Sequence, residues 1–219
     1  MINELIVYSN PKCVTSEAIK SIKINLQFAS VDKDIKTIMI TSSMPGEGKS
    51  FIAANLACAF VEDKKRVLLV DCDLRRGRQH RIFKQENIRG LSNLLLEDLN
   101  NLENYVTKLN DPKITLMTCG TIPPNPSELL NSNKNKALVE FLKKSYDLVI
   151  FDCPPVQNLS DPLIMSTLVD STLVVCSQNQ TPIDLLESTK KSLEQVSANI
   201  NGVVFNNITN KISSYYNEY

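Results

Sequence analysis

Pro45-Gly46-Glu47-Gly48-Lys49-Ser50 lies between the apolar run Ile38-Met39-Ile40 and a helix-like stretch that opens with Phe51-Ile52-Ala53-Ala54. Strand, glycine-bearing loop, Lys-Ser and helix, in that order, form the setting of a phosphate-binding loop. Gly46 and Gly48 give the backbone room to wrap an oligophosphate, and no side chain blocks its path there. Successive N–H groups and the positive end of the helix then face the anion. Residues Pro45 to Phe51 are therefore the expected nucleotide contacts, with Lys49 on the β- and γ-phosphates and the Ser50 hydroxyl on Mg²⁺. The eight-residue pattern departs from the usual form at its first position, where Ser43 replaces glycine.

Two further stretches carry the acids that such chemistry requires. Arg66-Val67-Leu68-Leu69-Val70-Asp71-Cys72-Asp73 reads as a parallel strand, its apolar run continuous because both faces are covered. Asp71 and Asp73 sit at its carboxyl end, where open α/β sheets bind ligands, and being two apart they are expected to point the same way. Tyr146-Asp147-Leu148-Val149-Ile150-Phe151-Asp152, closed by Cys153-Pro154-Pro155, is a second strand of this kind. Asp152 fits a Walker B acid, so Ser50, Asp71, Asp73 and Asp152 are the candidate Mg²⁺ set. Two acid-tipped strands behind one phosphate loop make coincidence a poor account. Between them, Arg75, Arg76 and Arg78 form a basic cluster, which is either a solvated loop or a device that neutralises phosphate. His80 is the chain's single histidine and, lacking companions, is expected to pack within that loop. Asn206, after the last apolar run, is placed either to read a nucleotide base or simply to make a turn.

The elements that must position these groups follow from pattern and length. A chain of 219 residues is long enough for a buried sheet with helices on both faces. Lys+Arg and Asp+Glu are both 24, so charge gives no argument for nucleic acid or an anionic membrane. Six cysteines show no Cys-x-x-Cys spacing, and several fall in or beside strand-like runs, as reduced, packing cysteines do. The apolar runs are far shorter than the roughly 20 residues a spanning helix requires, and no leader is apparent, so a cytoplasmic protein is expected. Residues 1–15 read as irregular, and Ser16 as the cap of a helix through Phe28, with Ile19, Ile22 and Leu26 at helical spacing. Glu17, Lys20 and Lys23 form a charged stripe on that helix. Short helices over 90–109, a strand over 114–118, helices from 127 and 136, a strand over 170–176, a helix over 182–196 and a strand over 200–205 complete an α/β P-loop NTPase pattern. The central sheet is mostly parallel. One domain, 1–219, is expected, ending in the tail from about 207 with Tyr215, Tyr216 and Tyr219.

Together these residues resemble the bacterial tyrosine kinases, in particular the cytoplasmic kinase of Gram-positive capsule and exopolysaccharide systems. The motifs are Pro45-Gly46-Glu47-Gly48-Lys49-Ser50, Asp71-Cys72-Asp73-Leu74-Arg75-Arg76, Asp152-Cys153-Pro154-Pro155 and the tyrosine-rich end. The resemblance implies an ATP- and Mg²⁺-dependent protein-tyrosine kinase that forms a ring-shaped homo-oligomer and phosphorylates Tyr215, Tyr216 and Tyr219 between subunits. It implies Lys49, Asp71, Asp73 and Arg75 as catalytic, with Asp71 orienting or deprotonating the incoming tyrosine. It also implies a membrane-embedded activator that recruits the kinase to the inner face of the membrane, and an antagonist protein-tyrosine phosphatase. No direct membrane span and no nucleic acid are expected. Glu17, Lys20 and Lys23 then match the family's assembly motif, with lysines in place of both arginines, and Gly77 stands where proline usually follows Arg-Arg. The alternative is a partitioning or cell-division ATPase of the same superfamily. Those proteins carry a signature lysine five residues before the loop lysine, a position held here by Met44.

Overall fold

Val67, Leu69, Leu148 and Ile150 point to one side of a sheet while Leu68, Val70, Val149 and Phe151 point to the other, and all are buried. The computed structural model describes residues 4–29, 34–97, 99–178 and 180–208. In it the sheet runs β3 (Thr107–Lys108), β4 (Thr115–Met117), β2 (Val67–Asp71), β5 (Leu148–Asp152), β1 (Thr37–Ser42), β6 (Ser171–Ser177), β7 (Ile200–Asn206). Only the β3–β4 pair is antiparallel. The expected α/β P-loop architecture, a mostly parallel sheet with helices on both faces, is what forms. β5 lies between β2 and β1 with Asp71 opposite Asp152 in register, so both acid-tipped strands end beside the phosphate loop.

On one face α2 (Val14–Ala29) and α3 (Lys49–Val61) pack over Ile38, Ile40, Val67, Leu69 and Ile150. Every residue of α3 from Ile52 to Phe60 is buried. Its alanines let a helix that is apolar all round sit close to the strands. On the other face α5 (Leu91–Leu96), α7 (Asn133–Ser145), α8 (Asp161–Ser166) and α9 (Ile183–Gln195) cover Met39, Leu68, Val70, Val149 and Phe151. Full burial of each Leu, Ile or Phe contributes about 1.5–3 kcal/mol.

Two features differ from the sequence reading at the N-terminus. The first described segment is not irregular, because α1 (Ile6–Ser9) forms there and is held by Asn55, whose Oδ1 accepts from Val7 N–H at 3.0 Å. Nor does Ser16 cap α2, which starts two residues earlier. Its hydroxyl instead bonds the carbonyls of Ile6 and Asn10, tying α1 to α2. α8 was not foreseen, being six residues long with Pro162 inside its first turn.

Asp170, just before β6, is a structural knot. Its Oδ2 accepts from the N–H groups of Lys36 and Thr37, both at 3.0 Å, and from the Thr37 hydroxyl at 2.8 Å. Its Oδ1 meets Lys143. Burial would raise this carboxyl, but Lys143 and Thr37 outweigh it and hold it below the ordinary value. Its contribution is therefore present above the unfolded value near 3.9 and lost as pH falls through the lower folded value. Asp170→Asn is expected to cost about 1–3 kcal/mol at pH 7. Denaturant unfolding at pH 7 and pH 3 checks this: the gap from wild type should narrow at pH 3, and equal stability at pH 7 would remove Asp170 from this role.

Candidate active site

The chain leaves β1 at Ser42 and turns through Met44 to Gly48 into α3. Gly48 has φ +92°, a left-handed conformation that ordinary side chains rarely adopt. A Cβ there would also lie 2.1 Å from Asn206 Nδ2, so glycine is required twice over. Ser43, the departure from the usual motif, is buried, and its Oγ accepts from the Thr189 hydroxyl at 3.0 Å. A residue of α9 thus accommodates the larger side chain.

Lys49 is the centre of the site. Its Nζ lies 3.2 Å from Asp73 Oδ2, 3.3 Å from Asp152 Oδ1 and 3.4 Å from Ser50 Oγ. Burial alone would lower the ammonium, but Asp152, Asp73 and Asp71 outweigh it and hold Lys49 well above its ordinary value. The cleft around them has a volume of about 510 Å³ and includes Pro45, Gly46, Arg76, Arg78 and Pro154 in its lining. A larger hollow, about 1370 Å³, opens where β2 and β4 begin, at the other end of the strands from these acids, and holds none of them.

The three acids divide the work unequally. β2 ends at Asp71, and Asp73 lies just beyond it, before the turn at residues 74–76. Asp71 is fully buried, and its Oδ2 accepts from Arg78 and Gln79 N–H at 2.8 and 2.9 Å. Its Oδ1 accepts from Asp73 N–H at 3.2 Å. Burial and the neighbouring Asp152 charge push this carboxyl up to about 8, against the pull of the Gln79 amide and Lys49. Asp71 holds the loop through both oxygens and Asp73 through Oδ1, which accepts from Arg75 and Arg76 N–H, while Asp73 Oδ2 and Asp152 Oδ1 face the lysine.

Other expected contacts are placed differently from the sequence reading. The Glu47 carboxylate turns into the protein, accepting from Met44 N–H at 2.7 Å and from the Thr181 hydroxyl. An acid aimed at the cradle would repel phosphate, so only the backbone of Glu47 is left to face the cleft. Phe51 packs its ring against the core. Asn206 gives its amide to the Glu47 carbonyl at 2.9 Å, which buttresses the loop from β7. Arg75 lines the cleft, its side chain 39% exposed, and is anchored from behind. Its guanidinium grips the buried Asp161 at 2.8 and 3.2 Å and also reaches Ser127. Arg76 and Arg78 are exposed, and Arg78 pairs with Glu4. On α2, Lys20 joins Glu17 and the Pro11 carbonyl. Lys23 is buried against the Ala59 carbonyl and Asp63, so it ties α2 to α3 rather than joining an exposed stripe. Tyr215, Tyr216 and Tyr219 lie outside the described residues.

Sequence reasoning missed Gln79 and Asp161. Gln79 is fully buried and donates to the Ser50 carbonyl at 3.1 Å and to Asp152 Oδ2 at 2.8 Å. It thereby links the phosphate-loop helix to the Walker B acid. Its place eight residues after Asp71, in a loop of charged residues, was the only signal. His80, expected to lack companions, has two: Asp71 and Cys119 each offer a ligand atom within 4.8 Å of its own. Burial and the Arg81 charge lower the imidazole and keep it neutral. Burial and the Asp71 charge push the Cys119 thiol up to about 12.

A family profile described as an AAA domain matches residues 35–205. The tyrosine-protein kinase YwqD of Bacillus subtilis is 39% identical over 206 residues, covering 94% of this chain and 86% of that protein. AmsA of Erwinia amylovora, named a putative tyrosine-protein kinase, is 34% identical over 214 residues, and the chain spans only 29% of its length. Among solved structures, the chimerical protein CapA2B2 superposes with a TM-score of 0.88 at 36% identity, covering 94% of this chain and 90% of that one. With the Lys49–Asp73–Asp152 cluster, the Gly48 turn and Met44 in place of a signature lysine, these likenesses lead to one conclusion: the chain belongs to the bacterial tyrosine-protein kinases.

Proposed function

We propose that the chain transfers the γ-phosphoryl group of ATP to tyrosines in the tail of a neighbouring copy, namely Tyr215, Tyr216 and Tyr219. The observation that carries this reading is the meeting of Lys49, Asp73, Asp152 and Ser50 at one end of a cleft rimmed by Arg76 and Arg78. The donor set fits Mg²⁺, since the Asp73 and Asp152 carboxylates and the Ser50 hydroxyl are hard oxygen ligands gathered around one buried cation. Bound there, Mg²⁺ would neutralise charge on the transferring phosphate.

The chain's own groups supply alignment. The N–H groups from Gly46 through Phe51 and the start of α3 would receive the phosphates, and Lys49 would move its charge from the acids to the γ-phosphate. Asp73 lines the cleft and Asp71 does not, so Asp73, whose Oδ1 also accepts from the Arg75 and Arg76 N–H groups, would be the carboxylate that orients a tyrosine hydroxyl. That hydroxyl is neutral near pH 7, with an ordinary pKa of about 10. Arg76 and Arg78 would draw in the acceptor. Gln79 and the Arg75–Asp161 pair hold the surrounding loop.

Around this site we place a ring of copies that involves α2. We also place a membrane-embedded activator that draws the kinase to the inner face of the membrane, an opposing tyrosine phosphatase, and a role in capsule or exopolysaccharide synthesis. Among the described residues no helix is long and apolar enough to cross a membrane.

β7 ends at Asn206 beside the chain's own phosphate loop, and ten extended residues span roughly 33–36 Å, so reach does not choose between subunits. Mixing does. A Lys49→Met chain with intact tyrosines is combined with an active chain whose three tail tyrosines are phenylalanine, and phosphotyrosine is mapped after addition of ATP and Mg²⁺. Phosphate on the inactive chain is expected. Its absence in demonstrably mixed assemblies would confine transfer to one chain, and absence of any phosphotyrosine from wild type would remove the tail as acceptor.

A further inference from the structure

Asp71, His80 and Cys119 come from β2, α4 (Gln79–Ile82) and the segment after β4, and none of them lines the cleft. Their ligand atoms all lie within 4.8 Å of one another, and Asp71 and Cys119 are buried. His80 Nδ1 is buried and has no hydrogen-bond partner among the described residues. A buried ring nitrogen left in that state is costly unless something fills its lone pair. Cys119 has only weak sulfur contacts, to Asn87 at 3.3 and 3.5 Å and to the Gly120 carbonyl at 3.5 Å. Gly77 closes over the group from the loop. A Cβ there would stand 2.3 Å from Cys119 Sγ and 2.9 Å from Asp71 Oδ2, so any side chain at 77 would fill the space between them.

A carboxylate oxygen, an imidazole nitrogen and a thiol sulfur are the donor types that hold zinc and similar borderline cations, and Mg²⁺ has little use for the latter two. We infer that Asp71, His80 and Cys119 form a second, thiophilic divalent-cation site of the zinc type, whose filling pins the loop 73–80 and slows phosphotransfer. A zinc-like ion with bonds of 2.0–2.3 Å holds its donors about 3.5 Å apart, so the present spread must close by roughly 1 Å. On binding, the Cys119 S–H and Asp71 O–H bonds give way to sulfur–metal and oxygen–metal bonds, and both protons pass to buffer. Asp71 Oδ2 already accepts two amides, whereas Oδ1 accepts only the Asp73 N–H and keeps a second lone pair, so the amide bonds persist when Oδ1 is the ligand. The effect reaches the active site through adjacent residues. Drawing in His80 moves Gln79, which donates to Asp152.

The test titrates the full chain with Co²⁺ in excess Mg²⁺, which keeps the cleft's own oxygen ligands filled. One equivalent with a near-ultraviolet thiolate-to-cobalt band is expected. Cys119→Ser should abolish the band, and His80→Gln should weaken binding by roughly tenfold or more. Cys13→Ser, at the half-buried thiol elsewhere in the fold, should leave both unchanged. Zn²⁺ should inhibit wild type at concentrations about tenfold below those needed for Cys119→Ser, whose zinc-free rate should match wild type. No band in wild type, a band retained in Cys119→Ser, or equal zinc inhibition of both overturns the site.

Discussion

Replacing Lys49 with methionine is expected to lower tyrosine phosphotransfer by about 100- to 1000-fold, the scale of losing one positioned charge at a transition state. The same change has a second consequence that the ion pairs make specific. Asp73 and Asp152 both pair with Lys49, whose side chain is only 12% exposed. Removing one partner of a buried pair leaves uncompensated charge and costs about 3–5 kcal/mol. The Lys49 ammonium is held above its ordinary value near 10.4, so its contribution is fully present at neutral pH and is lost only as pH rises through the still higher folded value. The variant should therefore be markedly less stable than wild type in a chelator at pH 7. Saturating Mg²⁺ should restore most of the difference, because the ion replaces the missing cation between the same oxygens. Thermal unfolding with EDTA and with Mg²⁺, beside a phosphotyrosine assay, checks both halves. Wild-type activity, or a stability loss that Mg²⁺ leaves untouched, would show that Lys49 does not balance these acids.

The sheet and the phosphate loop were legible because their signals are local. A continuous apolar run ending in aspartate specifies a buried strand and its chemical tip, and Gly48-Lys49-Ser50 between strand and helix specifies the cradle. What could not be read depends on residues distant in sequence. Glu47 looks like a loop acid until Thr181, 134 positions on, turns its carboxylate inward. Arg75 looks like an unanchored loop cation until Asp161 pairs with it across 86 positions. Lys23 belongs to a charged stripe until Asp63 and the Ala59 carbonyl bury it. In each case the side chain's type was visible and its partner was not. The separate partners of Asp71 and Asp73 were hidden for a different reason. Two-residue alternation governs side-chain direction only while the strand continues, and β2 stops at Asp71. His80 carried no sequence signal at all, since its companions are brought to it by the ends of β2 and β4.

Asp152→Asn is the second large effect, and the surrounding hydrogen bonds show why an isosteric change should be severe. Asp152 is fully buried, with Oδ1 facing the Lys49 ammonium at 3.3 Å and Oδ2 accepting from Gln79 Nε2 at 2.8 Å. An asparagine has one oxygen, so its NH₂ must face either a cation or an amide donor. Turning the Gln79 amide would let its unpartnered Oε1 accept from that NH₂. The turn would also replace Nε2 by oxygen opposite the Ser50 carbonyl, now bonded at 3.1 Å, setting two acceptors against each other. No arrangement satisfies all three groups. A neutral amide oxygen is in addition a poorer ligand for Mg²⁺ than a carboxylate. Losing that ligand forfeits several kcal/mol of charge stabilisation, a fall in turnover of about 1000-fold. Phosphotyrosine formation measured across a Mg²⁺ titration should show the lower rate together with a half-saturating Mg²⁺ concentration shifted upward. A double variant Asp152→Asn/Gln79→Leu, which removes the opposed amide, should recover stability but not turnover. Normal turnover of the single variant at limiting Mg²⁺ would place the metal-binding acid elsewhere.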